Sequence, residues 1–226
     1  MRIGFDIDGV LADFVSAYQD KFIALTGRNT FAAGDRRDPP EWNWPTLRGY
    51  TAEETSAVWE DIKKSHTFWL NLSEDRGCST LRQMLMELEH KHEVYFLTSR
   101  PGLRSKRQTE LWLWDHLGYH RTPNVYPTVG IAAYRQKGHL VKGLELDCYI
   151  DDNTDNANDV AWGTVPGVLD YALKREGQEL DLTAAPRTRV YLLNRTYNKD
   201  GELHKDVVRV DSVGQMFDKE IALGNL

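Results

Sequence analysis

Residues 2 to 14 read Arg2-Ile3-Gly4-Phe5-Asp6-Ile7-Asp8-Gly9-Val10-Leu11-Ala12-Asp13-Phe14, and this stretch decides the fold. Apolar residues give way abruptly to two carboxylates and a glycine, which reads as a short buried strand, Arg2 to Phe5, ending in a polar turn. Residues two apart on an extended chain point the same way, so Asp6 and Asp8 address one site. After the turn, Val10, Leu11, Phe14, Ala17, Tyr18, Phe22 and Leu25 recur at helical spacing as far as Gly27, a plausible stop. A strand is therefore followed by a helix.

The same alternation continues outward. Leu81, Met84, Leu85 and Leu88 make an amphipathic helix that delivers the chain to a dense apolar strand, Val94-Tyr95-Phe96-Leu97. Helical spacing from about Ser105 to Leu117, an extended piece around Val125, a helix near Gly138 to Leu144 and the strand Cys148-Tyr149-Ile150 follow. Val190-Tyr191-Leu192-Leu193 is another strand, and Val213 to Leu223 a final helix. Strands separated by helices pair in parallel and carry helices on both sheet faces, which predicts an α/β, three-layer, Rossmann-like core. In such a sheet the strand C-termini share one edge, where ligand sites form. Asp6-Ile7-Asp8-Gly9, Leu97-Thr98-Ser99-Arg100 and Asp151-Asp152-Asn153 should converge there, with Lys137-Gly138 in the run-up to a strand.

Clustered carboxylates are tolerable only around a cation or with raised pKa values, and oxygen donors without His or Cys favour Mg²⁺ over zinc. A lysine, a threonine hydroxyl and Mg²⁺ are also what a phosphoryl group needs for charge neutralisation and orientation. Calcium loops starting at Asp6 or Asp151 would put Ala17 or Trp162 at the twelfth position, where a bidentate Glu is required. A phospho-accepting receiver domain uses similar groups but puts its acidic pair first, and here the pair comes last.

With these segments in this order the sequence resembles the haloacid dehalogenase superfamily of aspartate-nucleophile phosphatases. More narrowly, Asp6 to Phe14, DIDGVLADF, resembles the start of the 5′(3′)-deoxyribonucleotidases, and the likeness spans about residues 1 to 160. The resemblance implies that Asp6 forms an aspartyl-phosphate and Asp8 is the general acid and base. Thr98 would hold a phosphoryl oxygen, Lys137 would bind phosphate and nucleophile, and Mg²⁺ would be held by Asp6 and Asp8 together with Asp151 and Asp152. Lys142 is a rival for Lys137. The expected activity is that of a Mg²⁺-dependent phosphomonoesterase, a 5′-nucleotidase acting on (deoxy)nucleoside 5′-monophosphates. Another small phosphorylated metabolite, a 3′-phosphate on a nucleic-acid end and a catalytically silent module of the same fold are the alternatives.

In this superfamily a cap between the first two motifs covers the site. Residues 15–75 fit a small helical cap, and residues 1–14 with 76–226 the catalytic core. Trp42 and Trp44 lie in a stretch, Arg28 to Tyr50, that reads as an irregular loop; with Phe68 and Trp69 they are candidates for stacking on a nucleobase. Ser99 and Arg100 follow Thr98, and Arg100 is placed either to reach a phosphate or to form a surface salt bridge.

Length and charge bound the rest. The 226 residues allow one domain or one with an insertion, and no apolar run approaches the ~20 residues of a membrane span. The net charge of −6 argues against stable nucleic-acid binding. An acid at position 6 interrupts any signal-peptide core, and two distant cysteines, Cys78 and Cys148, match no disulfide framework, so a cytoplasmic setting is expected. The sequence leaves the oligomeric state open, a homodimer included.

Overall fold

Six parallel strands form one sheet in the computed structural model, which describes residues 1–31, 38–41, 43–75, 78–102, 104–118, 123–127, 137–163 and 187–226. They are β1 (Arg2–Asp6), β2 (Glu93–Thr98), β3 (Asn124–Pro127), β4 (Cys148–Asp151), β5 (Arg189–Leu193) and β6 (Val207–Val210). Their order across the sheet is β3-β2-β1-β4-β5-β6. The chain steps outward from β1 to β3 and then returns to build β4 to β6 on the other side. The order reverses between β1 and β4, and the crevice at such a switch point is where this class of sheet binds ligands. Register carries Phe5 against both Phe96 and Ile150, which brings the ends of three strands level.

Strand alternation sorts side chains onto two faces. Phe5, Phe96, Ile150, Tyr191 and Leu193 point into one apolar layer; Tyr95, Leu97, Tyr149, Val190 and Leu192 point into the other. The first layer is closed by α4 (Cys78–Lys91), α5 (Ser105–Leu117) and α8 (Val213–Ala222), and the second by α6 (Lys137–Gly143) and α7 (Thr154–Gly163). The α/β three-layer expectation holds. Trp112 is fully buried in the first layer, whereas Trp114, two residues on and so on the opposite side of α5, is 54% exposed.

Three further helices lie in residues 15–75: α1 (Phe14–Thr26), which takes in Phe14 as well, α2 (Trp44–Leu47) and α3 (Ala52–Lys64). Thr51 and Glu54 form a capping box at the start of α3. Gly27 ends α1 in the left-handed conformation, as the sequence suggests. The helix begins four residues later than the periodicity indicates, because the N–H groups of Leu11 and Ala12 both bond back to the Ile7 carbonyl and form a turn. The stretch read as wholly irregular contains α2, and β6 was not anticipated at all. No helix among the described residues is long and apolar enough to cross a membrane. Both cysteines are buried thiols.

Candidate active site

Asp6 ends β1 and Asp151 ends its neighbour β4, so the sheet order alone brings these carboxylates together. Asp152 follows, and each of the three offers an oxygen within 4.8 Å of the others. All three are buried. Lys137 reaches this group from the first residue of α6, with Nζ 2.6 Å from Asp6 Oδ1 and 2.6 Å from Asp151 Oδ2. Gly138 makes that approach possible, since a Cβ there would overlap the Asp159 carbonyl on α7. Lys142 lies in the last turn of α6 and is partly exposed, so Lys137 is the lysine that the fold directs at the carboxylates.

The electrostatics follow from burial. Three carboxylates against one ammonium leave two negative charges if all are ionised. Burial, only partly offset by Lys137, raises Asp6 well above the usual carboxylate range, and Asp151 and Asp152 add to the rise. Asp152 is pushed up to about 7, first by burial and then by Asp151. Burial would lower the Lys137 ammonium, but Asp151 and Asp6 outweigh it and hold it raised and protonated. Oxygen-only donors with an excess of two negative charges match a hard divalent cation, so Mg²⁺ fits this group. Asp151 is aimed by its neighbours: Tyr149 Oη donates to Oδ2 at 2.7 Å and the Asn153 N–H to Oδ1 at 2.9 Å.

Gly9 completes this corner. Its φ is +85°, and a Cβ would overlap the Asp152 carboxylate, so only glycine allows β1's turn and β4's end to meet.

Asp8 is held apart from the three. Arg100 grips it as a fork, with Nε 3.0 Å from both oxygens and Nη2 2.8 Å from Oδ1. Thr98 Oγ1 donates to Oδ2 at 3.3 Å. The Arg100 side chain is fully buried. Its Nη1 donates to Thr109, and its guanidinium lies 5.0 Å from the Trp69 ring centre, a cation–π contact.

The Arg100 fork holds the Asp8 carboxylate, which is not among the three whose oxygens lie within 4.8 Å of one another. Arg100 faces Asp8, and its side chain is closed off from solvent. Thr98 is fully buried beside Asp8, while Ser99 next to it is exposed at the sheet edge. Trp69 packs its ring against Phe14 and under Arg100, and Phe68 is 7% exposed, so neither offers a free face for a base. Trp44 is 4% exposed, edge-packed against Tyr18, Phe22 and Phe31. It is core, and the polar loop around it does not imply an exposed ring. Trp42 lies outside the described residues.

The turn Asn194 to Asn198, to which the sequence alone assigns no mechanism, also belongs here. After β5, Arg195 donates to the Gly9 carbonyl and pairs with Asp75 at 2.7 Å. Tyr197 Oη donates to Asp152 Oδ2, and Asn198 Nδ2 donates to the Asp152 carbonyl at 2.7 Å. A signal was present: Asn194-Arg195-Thr196-Tyr197-Asn198 directly follows a predicted strand, and the strand-end rule that located Asp151 applies to it equally.

No family model matches the chain. A protein of Oceanobacillus iheyensis named a "putative nucleotidase" is 27% identical over 165 residues, which cover 67% of this chain and 77% of that protein. Among solved structures, the HAD family hydrolase of Deinococcus radiodurans, with bound phosphate and sodium, superimposes with a TM-score of 0.51 at 11% identity, over 100% of this chain and 96% of that one. A HAD-superfamily hydrolase of Ehrlichia chaffeensis gives the same score at 9% identity, over 99% of this chain and 97% of that one. Superposition over nearly the whole length, with a six-stranded parallel sheet whose β1 and β4 end in aspartates, establishes that the chain has the fold of the haloacid dehalogenase-like hydrolases.

Proposed function

We propose that the protein is a Mg²⁺-dependent phosphomonoesterase that uses Asp6 as its nucleophile, with nucleoside monophosphates as substrates. The observation that carries the proposal is the buried Asp6 carboxylate, 2.6 Å from Lys137 and grouped with Asp151 and Asp152 at the sheet's switch point. Asp6, Asp151 and Asp152 would hold Mg²⁺, and the ion would supply positive charge that offsets their own.

Lys137 steers an anionic phosphoryl group toward Asp6. An Asp6 oxygen attacks phosphorus, the bond to the leaving oxygen breaks, and that oxygen takes a proton from Asp8. Water then attacks the aspartyl-phosphate and gives a proton back to Asp8, which releases phosphate and restores Asp6. Arg100 orients Asp8 through both steps, and Trp69 supports Arg100. Residues 15–75 cover the site and contact the leaving group. The nucleotide assignment is supported by the name of the Oceanobacillus relative and by the DIDGVLADF stretch.

A second reading, a small phosphomonoester without a base, is favoured by one observation: Trp44, Phe68 and Trp69 are all buried. A phosphate-release screen over nucleoside monophosphates and sugar phosphates, with Mg²⁺ and with EDTA, tests both. The first reading predicts turnover highest on nucleotides and lost in EDTA; activity confined to sugar phosphates selects the second, and full activity in chelator overturns the metal assignment.

A further inference from the structure

The turn after β5 reaches across the sheet's C-terminal edge to the other end of the sequence. Arg195 and Gly9 are 186 residues apart, yet the guanidinium donates to that glycine's carbonyl. Tyr197 and Asn198 hold the side chain and the backbone of Asp152 respectively. Asn198 is 3% exposed and uses every polar group it has. Its amide donates to the carbonyls of Asp152 and Leu193, both at 2.7 Å, and its Oδ1 accepts from the Arg195 N–H at 3.0 Å and from Arg209 at 3.2 Å. The ends of β4 and β5 are thus fixed to each other, and Asp152 is confined between Gly9 on one side and the Tyr197 hydroxyl on the other.

We infer that Tyr197 and Asn198 are positioning residues for cation binding: Tyr197 fixes the direction of the Asp152 carboxylate and Asn198 the backbone that carries it, and through them the affinity of the carboxylate group for Mg²⁺. The inference rests on the metal reading above. Its physical basis is that a carboxylate ligand rotates freely about its last bond unless a hydrogen bond holds it, and loss of such a partner costs about 10- to 100-fold in metal affinity. The Tyr197 hydroxyl supplies that bond. Thr196, between Arg195 and Tyr197, bonds not Asp152 but Asp38, through its N–H at 2.6 Å and its hydroxyl at 2.7 Å. It therefore serves as an internal control in the same turn.

The test is calorimetric titration of Mg²⁺ into the full chain, without substrate, for the wild type, Tyr197→Phe and Thr196→Val. Melting temperatures in EDTA and in excess Mg²⁺ are recorded for each, so that any general loss of stability is subtracted against the variant's own baseline. Tyr197→Phe should raise the Kd for Mg²⁺ by about 10-fold or more and shrink the Mg²⁺-dependent rise in Tm, whereas Thr196→Val should keep the wild-type Kd. An unchanged Kd in Tyr197→Phe overturns the inference while leaving the metal reading intact. An equal loss in Thr196→Val overturns it too, because that variant retains the tyrosine hydroxyl. Absence of Mg²⁺ binding by the wild type overturns the metal reading, and the inference with it.

Discussion

Gly9 answers two demands at once. Its backbone lies at φ +85°, which a side chain disfavours by about 1–2 kcal/mol, and the Asp152 carboxylate occupies the space where a Cβ would go. Gly9→Ala should therefore lower the free energy of unfolding by about 1–2 kcal/mol in urea. On the proposed function it should also shrink the rise in Tm expected of the wild type in Mg²⁺, since Asp152 must move; a variant that keeps the whole of that rise would count against Asp152 as a ligand. At this scale much was legible from sequence. Two carboxylates and a glycine directly after an apolar strand are local, and the local pattern was enough to pick out Asp6. What could not be read locally was direction. Asp8 lies two residues from Asp6 and shares its side of an extended strand, but the strand ends at Asp6, and a buried arginine 92 residues away decides where the second carboxylate points.

At the scale of elements, the aromatic residues of 15–75 illustrate how a sequence pattern misleads. Trp44 sits among prolines, asparagine and arginine, and a polar neighbourhood suggested an exposed ring. The short helix α2 instead turns Trp44 inward onto Tyr18, Phe22, Phe31 and Tyr50, so its burial depends on elements far along the chain. Trp44→Ala should cost about 3–5 kcal/mol of stability, as truncation of a buried aromatic does. Its KM for a nucleoside monophosphate should match the wild type's at a temperature where both are folded. A selective rise in KM for nucleotides over p-nitrophenyl phosphate would restore the stacking role. Five of the six strands and most of their flanking helices were legible because period-2 and period-3.6 patterns survive in the sequence. The turn carrying Arg195, Tyr197 and Asn198 was not, since hydrogen bonds to Gly9 and Asp152 leave no periodic trace; only its position after β5 marked it.

For the molecule as a whole, the carboxylate group couples folding to protons and, on the proposed function, to cations. Asp152 titrates near 7 in the folded chain, above the value of about 4 for an unfolded aspartate. The native state then holds the extra proton between these values, so the contribution of Asp152 to stability is present below about pH 4 and is lost as pH rises to about 7. In EDTA the wild-type Tm should fall more steeply than that of Asp152→Asn between about pH 5 and about pH 8. Excess Mg²⁺ should remove the difference by stabilising the ionised form. Equal slopes in EDTA would mean that Asp152 carries no raised proton affinity. The central claim, however, is that Asp6 makes the covalent bond to phosphorus. The direct measurement is kcat for p-nitrophenyl phosphate with Mg²⁺, comparing wild type with an Asp6→Asn variant whose circular dichroism and Tm show it folded. Loss of the nucleophile should lower kcat on the order of 10⁴-fold or more; an Asp6→Asn enzyme within about tenfold of the wild type would contradict the account.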